Sequence, residues 1–352
     1  MVVGAGAIGT YIGAALAEAG HEVAFLVRER SALHLRKHGI RLEWASGRVT
    51  AIPQPHIAAS PEEALDRAPY DLAILALKNY HLSAFLDEIH PHAERFPPIL
   101  SLLNGVEAEA QLERALGEGK VIAGTVTTAV ARTAVGNAKV ERMRGLGIGG
   151  GHPLAAEFAK VARAAGLNPR LYPNAAAMKW SKMLTNLPAN ATSAILDMTP
   201  SEIFADPALA RIEAEQLSEA LRVMEALRLP VVNLPKAPVR ALAFAVRRLP
   251  RPFLRPFMQK ALGSGRGGKM PSFHIDLHSG RGVTEVEALN GAVARFGARL
   301  GVPTPVNQAL TKILTALARG KSPAEKWQRN PKALIRTVRD NGNPPIAQIF
   351  TE

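Results

Sequence analysis

Short apolar runs alternate with helical patterns along the first half of the chain. Val2 and Val3 lead into Gly4-Ala5-Gly6-Ala7-Ile8-Gly9, and a small-residue helix then runs to Ala19, with Gly20 placed to cap it. Residues 22–27, 72–77, 99–103 and 121–126 read as further strands. The stretch 72–77 is wholly apolar, as strands buried on both faces of a parallel sheet tend to be. Strand–helix alternation at this spacing predicts an α/β domain with a doubly wound parallel sheet. From Thr127 to Gly150 the texture changes to β-type runs around a Gly136-Asn137 turn, read as antiparallel strands added to the sheet edge. A helix at 154–165 and the segment 166–173 close this first domain, set at residues 1–172.

Beyond Pro173 the patterns turn helical almost throughout. Segments 176–196, 207–227, 283–300 and 308–318 carry apolar positions at helical spacing, so residues 173–352 read as an all-α domain. Two domains also suit a length of 352 residues. The helical half contains a basic excursion at 228–270. Residues 226–275 hold ten Lys or Arg and no acid, and include the run LPRPFLRPF. It reads as a solvated connection between helices, with a membrane-surface or partner-binding role as the competing use.

A composition of 47% hydrophobic and 21% charged residues is that of a folded globular chain, and the absence of cysteine excludes disulfides and thiol chemistry. The net charge of +13 would suit nucleic acid, an anionic membrane or a polyanionic cofactor. Nucleic acid is set aside, because only 5% of residues are aromatic and none interleave with basic residues in a recognition motif. Residues 1–17 are uncharged but lack a basic leader, and Gly4, Gly6, Gly9 and Gly13 interrupt them, so a secretory signal is not expected. No stretch reaches the roughly 18 apolar residues of a membrane span. A cytoplasmic protein without an integral membrane segment is the expectation. Only three residues precede Gly4, which suggests a natural start a few residues upstream.

The glycine pattern carries chemistry. Gly4-x-Gly6-x-x-Gly9 stands after a strand and before a helix, the Rossmann-type arrangement for a dinucleotide pyrophosphate. The first glycine makes the turn, the second admits the phosphates and the third lets helix and strand pack. At the end of the second strand an acid would contact ribose hydroxyls, whereas Arg28 stands there with Arg30 beyond it, pointing to a 2′-phosphate and hence NADPH. Glu29 is the competing ribose contact. Lys78 and Asn104-Gly105 follow two further strands, at the carboxyl ends where such sheets bind ligands. In the second half, Lys182, Asn186 and Asn190 lie at i, i+4 and i+8 among Met183, Leu184 and Leu187, so that a helix would align them on one face. Pro188 falls inside that helix, where it would remove a hydrogen bond and introduce a kink.

With these residues in view, the chain resembles the ketopantoate reductase family. The glycine fingerprint, Arg28, Lys78, Asn104-Gly105, Trp180-x-Lys182-x3-Asn186 and Thr284-Glu285-Val286-Glu287-Ala288-Leu289-Asn290-Gly291 occur in the family's order, from residue 1 to about 320. The resemblance implies that Lys182 protonates the developing alkoxide and that Glu285 binds the substrate hydroxyl and supports the lysine. It implies that Asn186, Asn190 and Ser272 hold the substrate, with Lys78 and Asn104 near the nicotinamide. Lys182 and Glu285 are then expected to meet facing the nicotinamide ring. Hydride addition builds negative charge on oxygen, which a nearby ammonium stabilises and protonates. No metal is expected: that chemistry does not require one, and the ten histidines are taken to lack ligand spacing. The partner is a small 2-keto acid, ketopantoate above others, and a homodimer is one assembly open to the chain. The alternatives are an NADPH-linked reductase of another branched 2-keto acid and a non-catalytic NADPH-sensing protein.

Overall fold

In a computed structural model, which describes residues 1–67, 69–260 and 270–341, the chain divides into two units. The first comprises Met1–Lys179 with Asn233–Ala237, and the second Trp180–Val232 with Pro238–Glu352.

Among the described residues the first unit carries twelve strands: β1 (Val2–Val3), β2 (Ala24–Leu26), β3 (Ile40–Glu43), β4 (Val49–Ile52), β5 (His56–Ala58), β6 (Ala73–Leu75), β7 (Ile99–Ser101), β8 (Val121–Val126), β9 (Ala129–Ala134), β10 (Asn137–Arg142), β11 (Leu146–Gly149) and β12 (Pro169–Tyr172). Its helices are α1 (Ala7–Glu18), α2 (Glu29–His38), α3 (Pro61–Leu65), α4 (Leu82–Ile89), α5 (Ala108–Leu116) and α6 (Pro153–Ala164). Eight strands form one sheet in the order β12-β11-β8-β7-β6-β1-β2-β5. The pairs from β5 to β8 are parallel, with Val2 opposite both Phe25 and Ile74. The order reverses at β1, which places the crevice for a ligand beyond the carboxyl ends of β1 and its neighbours.

Strand alternation divides the core between the two faces of the sheet. Val2, Phe25, Ile74, Leu100 and Ile122 point to one side, against Ile12 and Leu16 of α1 and Phe158 of α6. Val3, Leu26, Leu75 and Ile99 point to the other, against Phe85 of α4 and Leu112 of α5. This period of two explains why the strands read as unbroken apolar runs: both faces are covered.

The strands expected between Thr127 and Gly150 separate. β11 pairs antiparallel with β8 and carries β12 beside it, extending the main sheet at its edge. β9 and β10 join instead a second sheet, ordered β4-β3-β10-β9, which packs on α1. The sequence reading lacked β3 and β4, the partners that draw the hairpin away. β10 buries only Ala138 and Val140, while Asn137, Lys139, Glu141 and Arg142 stay at least partly in solvent. A half-covered strand of this kind needs one packed face.

Helix α7 (Ala175–Asn186) runs from the first unit into the second. It is followed by α8 (Asn190–Leu196), α9 (Pro200–Ala205), α10 (Pro207–Ala226), α11 (Val239–Arg248), α12 (Arg251–Met258), α13 (Ser272–Leu277), α14 (Asn290–Leu300), α15 (Pro305–Ala318) and α16 (Pro331–Asp340). The helix expected over 176–196 is thus two helices, broken at Leu187-Pro188-Ala189. Proline removes a helical donor there, and Ala189 takes a left-handed backbone with φ 53°. The basic excursion forms α11 and α12, with α11 packed on α10; its residues 261–269 lie outside the described residues. Among the described residues, no helix is long and apolar enough to cross a membrane.

Candidate active site

The glycine turn of the first unit is built by close contact. Gly4 has φ +96° and donates its backbone N–H to Leu26 O at 2.9 Å, locking the turn to β2. A Cβ on Gly9 would lie 1.8 Å from the Gly4 carbonyl oxygen, so only glycine lets α1 start so near its own turn. At Gly6 a Cβ would meet nothing within 4 Å. The chain therefore leaves open the place where a phosphate would approach. Thr10 is the first residue whose amide bonds back into the helix, to Gly6 O, so the amides of Ala7, Ile8 and Gly9 precede the helical ladder. Open space at Gly6 beside those helix-start donors fits the pyrophosphate of a dinucleotide.

Around the turn, the structure places each expected cofactor residue at a strand's carboxyl end. Arg28 follows β2 and caps α2, exposed, with a guanidinium nitrogen 2.9 Å from His81 Nδ1. Arginine can only donate, so Nδ1 accepts and the imidazole proton sits on Nε2. Lys78 lies beyond β6 and caps the 3-10 turn Asn79–His81, and half-buried Asn104 lies beyond β7, followed by Gly105 at φ +82°. Asn79 Nδ2 donates to Asn104 O at 2.9 Å and ties the two loops together. Sequence reasoning missed both Asn79 and His81; their adjacency to Lys78 was the available signal. A cavity of about 740 Å³ lies at the opposite, amino ends of these strands, lined by Val23, His56, Leu72 and Phe158, and is no part of this site.

Two lysines on α7 have different fates. Lys179, in the first unit, is buried, 2.7 Å from Glu109 and donating to Leu103 O at 2.6 Å. Lys182, in the second unit, is half-buried, between Ser181, which accepts from the Val232 amide at 2.9 Å, and buried Met183. Lys182 and Asn186 keep the expected one-turn spacing on α7.

Asn190 leaves that stripe. It begins α8, 3% exposed, and its amide nitrogen donates to Asn186 O at 3.1 Å and to Ser272 Oγ at 3.3 Å. Its side-chain oxygen accepts from the Phe273 backbone at 3.0 Å. The break that frees Asn190 is held by Glu213 of α10, fully buried, whose carboxylate accepts from the Ala189 amide at 2.7 Å and from Thr192 Oγ1 at 2.6 Å. A left-handed alanine costs about 1 kcal/mol, which a charge-assisted bond of this kind offsets. Sequence reasoning missed Glu213, which α10 buries together with Gln216 and Glu219. Glu285 is 2% exposed at the start of the 3-10 turn Glu285–Ala288, which packs against α13, α14 and α15. The second unit thus brings Asn186, Asn190 and Ser272 together and sets the turn of Glu285 against the helix that carries Ser272.

The expectation that the histidines lack ligand spacing does not hold. His34 and His38, and His274 and His278, each lie four residues apart, with ring centroids 4.5 Å and 4.0 Å from each other.

A glycine-fingerprint parallel sheet followed by a helical unit is the scaffold of a dinucleotide-binding oxidoreductase. The chain belongs to the ketopantoate reductase PanE/ApbA family, whose N-terminal model matches residues 1–151 and whose C-terminal model matches residues 174–318. It is similar to a 2-dehydropantoate 2-reductase from Aquifex aeolicus, with 24% identity over 90% of this chain and 96% of the relative. A PanE/ApbA family ketopantoate reductase from Ralstonia eutropha JMP134 has a similar structure, with a TM-score of 0.75 and 26% identity over 91% of this chain and 99% of that one. D-mandelate dehydrogenase, solved with NADH and anilino(oxo)acetate, shares the fold at a TM-score of 0.72 and 21% identity over 91% of this chain and 99% of that one.

Proposed function

We propose that this protein is a cytoplasmic reductase that uses NADPH to convert 2-dehydropantoate, a branched 2-keto acid, to pantoate. In this reading residues 1–172 bind the nucleotide and 173–352 the substrate. The observation that carries it is the junction of Asn190 with Ser272 and Asn186. Segments 82 residues apart put amide and hydroxyl groups together beside the end of the helix that presents Lys182.

A bound reduced nicotinamide would supply the hydride to the keto carbon. Lys182 then does two things: its ammonium draws electron density onto the carbonyl oxygen, and it gives that oxygen a proton as the new C–H bond forms. The products are the alcohol, the oxidised cofactor and a neutral lysine that recovers its proton from water. Glu285 holds the substrate hydroxyl and favours the charged lysine. Asn186, Asn190 and Ser272 orient the keto acid. Arg28 receives the 2′-phosphate, and Lys78 and Asn104 steady the nicotinamide end.

A second reading, reduction of a different 2-keto acid, draws support from the fold shared with D-mandelate dehydrogenase. Steady-state oxidation of NADPH and of NADH, measured with 2-dehydropantoate and a panel of other 2-keto acids, tests both. The highest kcat/KM is expected for 2-dehydropantoate with NADPH. A higher value for another keto acid would replace the substrate, and absence of turnover with every member would remove the catalytic reading.

A further inference from the structure

We infer that Asp197, His274 and His278 form a binding site for a zinc-class divalent ion, bridging α8 and α13 within the second unit. His274 lies on α13 and His278 immediately follows it, so the four-residue spacing sets both imidazoles on one side, stacked at 4.0 Å. Asp197 ends α8 in a left-handed conformation, φ 51°, and its Oδ1 lies 2.7 Å from His274 Nε2. One donor atom from each of the three residues falls within 4.8 Å of the others.

The outer contacts are those of metal ligands. His278 Nδ1 donates to the His274 carbonyl at 2.9 Å, which fixes the tautomer and leaves Nε2 with its lone pair. Gln328 Nε2 donates to Asp197 Oδ2 at 2.9 Å and orients the carboxylate through the oxygen that His274 does not use.

Two imidazoles and one carboxylate select zinc and its neighbours over magnesium or calcium, which prefer oxygen. Tetrahedral zinc with ligand bonds near 2.0–2.1 Å sets donor atoms about 3.3 Å apart. The His274–Asp197 pair at 2.7 Å would open by about half an ångström, the cation taking the place of the shared proton, and the wider donor separations, up to 4.8 Å, would close around it. His278 is exposed and the Asp197 side chain 38% exposed, which leaves room for a water as fourth ligand. The bland competitor is a His–Asp hydrogen bond that staples α13 to α8. A staple of that kind requires neither His278 nor its orienting bond. A bound cation would brace the junction where Asn190 meets Ser272. That consequence rests on the substrate role given to those residues; the binding itself does not.

The test is calorimetric titration of the full chain, stripped with a chelator, with Zn2+ alone and without nicotinamide or keto acid, so that failure of the reductase reading leaves it intact. Wild type is expected to bind one tight equivalent and to melt at higher temperature with Zn2+. His278→Ala, at an exposed position, and Asp197→Asn should each weaken binding at least about tenfold while folding normally. His34→Ala/His38→Ala should bind as wild type does, and Mg2+ should not compete. Equal zinc affinity in wild type and His278→Ala, loss of binding in the His34/His38 variant, or displacement by Mg2+ would each overturn the site.

Discussion

The two units build their sites by opposite means. In the first, chemistry stands on backbone: a turn without side chains, helix-start amides, and single residues at the ends of parallel strands. In the second, it stands on buried side chains satisfying other buried groups. Glu213 holds the Ala189 turn, and Glu219 accepts from the amides of Val306 and Asn307 at the start of α15. α7 runs against this division within one turn. Lys179 is buried in contacts to Glu109 and Leu103 within the first unit, whereas Lys182, one turn on, is half-buried in the second. Residue type alone says little about duty; the surroundings decide it.

This contrast can be broken at several points. The largest effect is expected from Lys179→Met, which leaves Glu109 without its buried cation and should cost about 3 kcal/mol in chemical denaturation. Next is the titration of Glu219, whose pKa burial pushes up to about 7 against the amides that lower it. The folded chain holds this proton more tightly than the unfolded one. The stabilisation is complete below pH 4.5 and is lost as pH climbs through 7, amounting to about 3 kcal/mol. Stability measured from pH 4.5 to 8 should therefore fall more steeply for wild type than for Glu219→Gln; parallel curves would remove the effect.

Smaller effects separate the glycines. Gly9→Ala drives a methyl into the Gly4 carbonyl and should cost about 1–3 kcal/mol, whereas Gly6→Ala, which meets nothing, should leave stability alone and weaken only the dinucleotide. Smallest of all, Arg28→Ala should weaken NADPH about tenfold and leave NADH unchanged in fluorescence titrations.

The first unit was the more legible because its signals are local. A glycine spacing and an apolar run report directly on a turn and a buried strand, and Arg28, Lys78 and Asn104 fall at strand ends by counting. β3 and β4 escaped because Arg41, Glu43 and Thr50 interrupt their apolar positions, and the pairing of β3 with β10, which ties both to the hairpin, spans about a hundred residues. In the second unit Lys182 and Asn186 were legible through helical spacing, but Asn190, read onto the same face, lies off it, because Pro188 breaks the stripe and α13 supplies partners to it. Glu213 and the Asp197–His274 pair were illegible for the same reason: their roles exist only across 24 and 77 residues of separation.

The central claim is that Lys182 supplies the proton to the reduced carbonyl. Its most direct test is Lys182→Ala, with NADPH affinity from fluorescence titration set beside kcat for 2-dehydropantoate. The account predicts unchanged cofactor affinity and a kcat lower by about 10²–10⁴-fold. Turnover equal to wild type, or a loss of NADPH binding as large as the loss of rate, would contradict it.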